Sequence, residues 1–145
     1  MKKLAIAVNV IILVIFNSLG AEEPKISVIV NKENSVKALT LPELKRVFLK
    51  QTHTWKNGEV CVPIDWGAAA EIRKRFSKKV FNRVPEEMKD YWIQQNVTNG
   101  TTPPPVQKSA KAIMKYVANV PGAISYIYSD DVTGNVKVIA VKGLD

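Results

Sequence analysis

The feature that most constrains the fold is an alternation of short apolar runs with segments of helical period, carried from Ile26 to Val141. Ile26-Ser27-Val28-Ile29-Val30 is a β-branched run suited to a strand buried on both faces. Asn31 to Lys37 is polar and reads as a turn. Thr40-Leu41-Pro42-Glu43 then matches a capping box, with proline tolerated in the first turn. The helix it opens places Leu44, Val47 and Phe48 on one face. Val60-Cys61-Val62-Pro63-Ile64 reads as a second buried strand, Asp65-Trp66-Gly67 as a turn, and Ala68 to about Asn82 as a helix with Ile72, Phe76 and Val80 inward. Pro85-Glu86-Glu87 starts a third helix. Asn96 to Pro105 is a loop of turn formers, and Ser109 caps a fourth helix through about Ala118. Ala123 to Tyr128 and Val136 to Val141 read as closing strands. The predicted order is β-α-β-α-α-α-β-β. It implies an α/β fold: one three-layer-like unit with a mixed sheet covered by helices.

The N-terminus subtracts from this sequence before it folds. Lys2 and Lys3 precede an apolar run from Leu4 to Phe16, broken only by Asn9, and Ser18-Leu19-Gly20-Ala21 supplies small residues for cleavage. This is the pattern of a signal peptide over residues 1–21, leaving 22–145 as a single domain. The apolar run is shorter than the roughly 20 residues that span a bilayer, so no stable membrane anchor is expected after cleavage. Loss of Lys2 and Lys3 lowers the net charge from +8 to +6. Export places the chain in the periplasm or outside the cell.

Composition excludes several kinds of chemistry. The single cysteine, Cys61, allows no internal disulfide, and with the single histidine, His53, it makes no zinc site of familiar spacing. No metal or cofactor is expected. The cations Arg73, Lys74, Arg75, Lys78, Lys79 and Arg83 read as a solvated helix face, and no nucleic-acid signature accompanies them. No nucleophile elbow, glycine-rich phosphate loop or paired-carboxylate motif is present, so an enzyme is not expected.

Four segments in order carry a family resemblance. Leu41 to Leu49 followed by Trp55-Lys56-Asn57-Gly58, and Val120-Pro121-Gly122-Ala123-Ile124-Ser125-Tyr126, resemble stretches of the phosphate-type periplasmic substrate-binding proteins of the type 2 superfamily. Ile26 to Asn31 is similar to their crossing strand, and Pro63 to Ala68 falls where their ligand-binding turn lies. The match covers about residues 26–141 and implies a bacterial, single-lobe relative of phosphate ABC transporter substrate-binding proteins.

In that family the turn carries an arginine and then Ser-Gly-Thr at a helix start. Here it reads Asp65-Trp66-Gly67-Ala68-Ala69-Ala70, without the hydroxyls and with an added carboxylate. The resemblance therefore implies a degenerate anion site that relies on free N–H groups at the helix N-terminus. Asp65, Trp66, Gly67, Ala68, Ala69 and Ala70 are the candidate ligand-facing residues, with Thr98, Gly100 and Thr101 in the hydroxyl-rich loop as a second group. The implied partners are a small anion, with phosphate disfavoured, and an ABC permease or another envelope protein. The alternative is an interaction or structural module that has lost ligand binding, with a homodimer recreating a two-lobed cleft.

Overall fold

The computed structural model of the chain describes residues 20–145, so nearly all of the expected signal peptide lies outside the described residues. The central element is β1 (Ile26–Val30), flanked on both sides by antiparallel neighbours. On one side is β6 (Ala123–Tyr128), with Val28 opposite Tyr126. On the other is β7 (Lys137–Lys142), with Val28 opposite Ile139. Two parallel strands complete the sheet: β2 (Ala38–Thr40) beside β7 and β3 (Val62–Pro63) beside β6. The order is β2-β7-β1-β6-β3, a mixed sheet as the sequence pattern implies.

The β-branched run at β1 has a direct physical reason. Val28 and Val30 point into one apolar cluster with Leu44, Phe48, Phe76 and Tyr126, whereas Ile29 points into another with Ile113, Val117 and Ile127. A strand with helices over both faces must be apolar at successive positions. The first cluster is roofed by α1 (Leu41–Phe48) and α2 (Glu71–Phe81), the second by α4 (Ala110–Asn119). Tyr126 and Phe76 stack at 3.6 Å, with Phe48 packed edge-on against both. The capping box forms as predicted: the Glu43 N–H donates to Thr40 Oγ1 at 3.3 Å and the Thr40 N–H to Glu43 Oε2 at 2.7 Å. The backbone donor, with the Thr40 hydroxyl, holds the Glu43 carboxyl below its ordinary range. Ser109 caps α4 through the Ala112 N–H at 3.1 Å.

The structure corrects several boundaries. Ala38–Thr40 is a strand as well as a cap, and Val60 stands exposed outside β3. Asp65–Trp66, read as a turn, is strand β4 and pairs in parallel with β5 (Val106–Gln107). Helix α2 begins at Glu71, because Gly67 to Ala70 forms a turn closed by the Ala70 N–H on the Gly67 carbonyl at 3.0 Å. Helix α3 (Lys89–Asn99) extends four residues into the expected loop. Arg73, read as part of a solvated face, is only 9% exposed.

Cys61 behaves as a core residue. Burial pushes its thiol from an ordinary 9.0 to about 12, so the thiolate fraction near pH 8 falls about a thousandfold. A disulfide exchange reagent at pH 8 should react with the folded chain ~1000-fold more slowly than with the chain in guanidinium; equal rates would contradict this burial. Burial also raises the Tyr126 hydroxyl above its ordinary value, against an opposing pull from Arg73. Both groups keep protons in the fold that the unfolded chain releases at lower pH. Their contribution is therefore complete below the unfolded pKa values and declines as pH rises above about 9. Denaturant midpoints should fall steadily from pH 8.5 to 11; a flat profile would contradict the assignment.

Candidate functional site

The turn singled out in the sequence lies between β4 and α2, and the side chain that organises it is Asp65. This residue is 3% exposed. Its N–H donates to the Pro105 carbonyl at 2.9 Å, which ties β4 to the strand leaving the hydroxyl-rich loop. Its carboxylate has two donors and a cationic partner. Oδ1 accepts from the Trp66 N–H at 2.8 Å and from the Tyr126 hydroxyl at 2.5 Å, while Oδ2 forms an ion pair with Nη1 of Arg73. The Tyr126 hydroxyl is protonated at neutral pH at its ordinary value, and burial raises it further, so it acts as a donor. The Trp66 indole N–H donates to the Tyr126 carbonyl at 2.8 Å, and Ser125 Oγ donates to the Ile64 carbonyl at 2.7 Å. Strand β6 thus clamps the Ile64-to-Trp66 segment from one side and α2 from the other.

Sequence reasoning placed Asp65 here but missed Arg73 and Tyr126. The signal for Arg73 was present: positions 73, 76, 77 and 80 fall on one helical stripe, and Phe76, Ser77 and Val80 are all buried with it. A cation on an apolar stripe needs an anion, because an unpaired buried charge costs several kcal/mol. Asp65 meets that need. For Tyr126 no local pattern could have served, since it meets Asp65 across 61 positions of chain.

The other candidates divide. Gly67 and Ala70 are half-buried and Ala68 and Ala69 exposed. Gly67 has open space where a side chain would stand. The N-cap, Ala70, makes no side-chain hydrogen bond, so the first N–H groups of α2 lack a capping hydroxyl. Glu71 stands in that first turn and is exposed, and its charge competes with any anion approaching the helix dipole. Thr98 sits in the last turn of α3 and is exposed, Gly100 caps that helix in the left-handed conformation at φ 72°, and Thr101 is half-buried with its N–H on Asn99 Oδ1 at 3.0 Å. The loop reaches the Asp65 turn through the β4–β5 pairing. Among the described residues no group of three or more His, Cys, Asp or Glu side chains could hold a metal ion.

No family model and no curated protein matches the chain. Solved structures do. A phosphate ABC transporter substrate-binding protein with bound phosphate from Clostridium perfringens superposes with a TM-score of 0.67 at 23% identity, over 84% of this chain and 46% of that one. An ABC-type phosphate transport receptor from Vibrio cholerae gives 0.66 at 19% identity, over 81% of this chain and 46% of that one. PstS from Borrelia burgdorferi gives 0.63 at 13% identity, over 81% and 47%. The chain has the fold of a phosphate-receptor lobe. It spans less than half the length of each of these receptors. Within this receptor-lobe fold, no helix among the described residues is long and apolar enough to cross a membrane.

Proposed function

We propose that the chain is an exported, non-enzymatic solute-binding-like module, related to phosphate ABC transporter substrate-binding proteins, whose anion site is degenerate. The observation that carries this reading is the Asp65 carboxylate on the Arg73 guanidinium. The buried arginine beside the turn is already neutralised, and three alanines stand where hydroxyls would grip phosphate oxygens. What remains for an outside anion is the backbone N–H groups that open α2, with a partial positive charge of about half a unit. A charge-assisted hydrogen bond contributes roughly 1.5–3 kcal/mol, so one or two of them support dissociation constants in the millimolar range. The engagement of both Asp65 oxygens in structural bonds supports a non-enzymatic role. An ABC permease is the partner this reading implies.

The test is a phosphate titration of an isotope-labelled sample followed through its amide resonances. The Glu71 and Ile72 amides, at the open end of α2, should shift with a millimolar midpoint. Amides there that stay still to saturating phosphate would contradict the site.

A second reading is favoured by one observation. Helix α3 has no buried residue, and it exposes Ile93 (52%) and Val97 (82%) one turn apart. A second copy on this face would set one lobe opposite another. Light scattering after size exclusion distinguishes the two: an obligate dimer that ignores phosphate favours this reading, and a monomer removes it.

A further inference from the structure

We infer that Asp65 is a tethered anion filling a preformed oxyanion cradle, and that the cradle itself is selective for a small monocarboxylate. The inference deepens the reading above by naming what occupies the site. Two donors and a cation from three elements converge on the Asp65 carboxylate: the Trp66 N–H of β4, the Tyr126 hydroxyl of β6 and the Arg73 guanidinium of α2. Two of them are fixed independently of Asp65: Tyr126 is held in the aromatic stack on Phe76 and Trp66 by its indole bond to β6. Arg73 projects from the buried stripe of α2 that also carries Phe76 and Val80. A cradle built this way persists when the carboxylate is removed, and it then holds an unpaired buried cation beside two vacant donors.

A further observation points the same way. Arg73 is 9% exposed and neither its Nε nor its Nη1 has a hydrogen-bond partner, so the guanidinium meets Asp65 as an ion pair and keeps donor capacity that Asp65 does not fill. A guanidinium accepts carboxylate and phosphate alike, but the space that the buried Asp65 carboxyl occupies is that of a planar, three-atom group, which a tetrahedral phosphate exceeds. In the native chain the cradle is shut to solutes, because a carboxylate on the same backbone competes at a very high effective concentration. An outside anion reaches only the rim, which is why the native site is weak.

The test is rescue of a cavity variant. Asp65→Ala removes the carboxylate and leaves room for formate. Sodium formate at about ten times its dissociation constant should raise the melting temperature of this variant by about 5 °C over an equal concentration of sodium chloride. The native chain and the double variant Asp65→Ala/Arg73→Met should show no such rise. Benzoate, too large for the space of one carboxyl group, should not rescue. A single variant indifferent to formate, or a double variant that responds equally, overturns the cradle. If Asp65→Ala stays unfolded in formate while the double variant folds without it, the cradle is overturned as well. None of these outcomes touches the weak native site, which is tested by phosphate on the unaltered chain.

Discussion

Replacing Arg73 by methionine should lower the stability of the fold by about 3–5 kcal/mol, the cost of stranding one partner of a buried ion pair. The side chains of Arg73 and Asp65 are 10% and 4% exposed, so solvent screens the pair little. Methionine preserves most of the aliphatic stem on the buried side of α2, which isolates the lost charge from a lost volume. The stranded carboxylate keeps the Trp66 N–H and the Tyr126 hydroxyl, which is why the loss stops short of unfolding a typical domain. Tyr126→Phe removes one of those donors and should cost less, about 1.5–3 kcal/mol. Removing both charges together, as in Asp65→Asn/Arg73→Met, should recover most of the loss, because a buried pair contributes little net stability over neutral groups of similar shape. Urea midpoints with unchanged slopes would measure all three. An Arg73→Met loss below about 1 kcal/mol would contradict a buried, mutually dependent pair.

Gly122→Ala should destabilise the chain by about 3 kcal/mol, at the upper end of what overpacking costs. A Cβ at this position would lie 1.8 Å from the Val60 carbonyl oxygen and 3.0 Å from its carbon. Both are backbone atoms and cannot rotate away. The glycine carbonyl is meanwhile fixed by the Trp55 indole N–H at 2.8 Å and the Val62 N–H at 2.9 Å, so the strand cannot back off without breaking those bonds. The clash would push β3 from β6 and loosen the segment that leads to Asp65. Gly67→Ala provides the contrast, since open space surrounds that position and the change should stay within about 0.5 kcal/mol. Thermal melts of the two variants compare them directly. A Gly122→Ala melt indistinguishable from that of Gly67→Ala would show that the close approach is not rigid.

Elements with strong local signals were legible in the sequence. The β-branched run gave β1, and the Thr40/Glu43 box and Ser109 fixed the starts of α1 and α4, because a cap is a contact within a few residues. Strands β4 and β5 are two residues each and, unlike β3, lie in no apolar run, so they were invisible: their pairing joins Asp65 to Val106 through a register set by the whole fold. Ala68 to Ala70 looked helical because alanine favours helix, yet the turn closed on the Gly67 carbonyl takes them instead. At the site, Asp65 and the helix start were visible, but the meaning of Asp65 was not. Counting cations around the whole of α2 hid the one that falls on its apolar stripe, and the Tyr126 hydroxyl reaches the site only after β6 has been laid beside β1.

The most direct test is isothermal titration of the native chain with inorganic phosphate. If Asp65 already occupies Arg73, the heat should fit a dissociation constant of about 1 mM or weaker, equivalent to no more than about 4 kcal/mol of binding. A dissociation constant near a micromolar would mean that the arginine is free to serve the ligand, and would contradict the account.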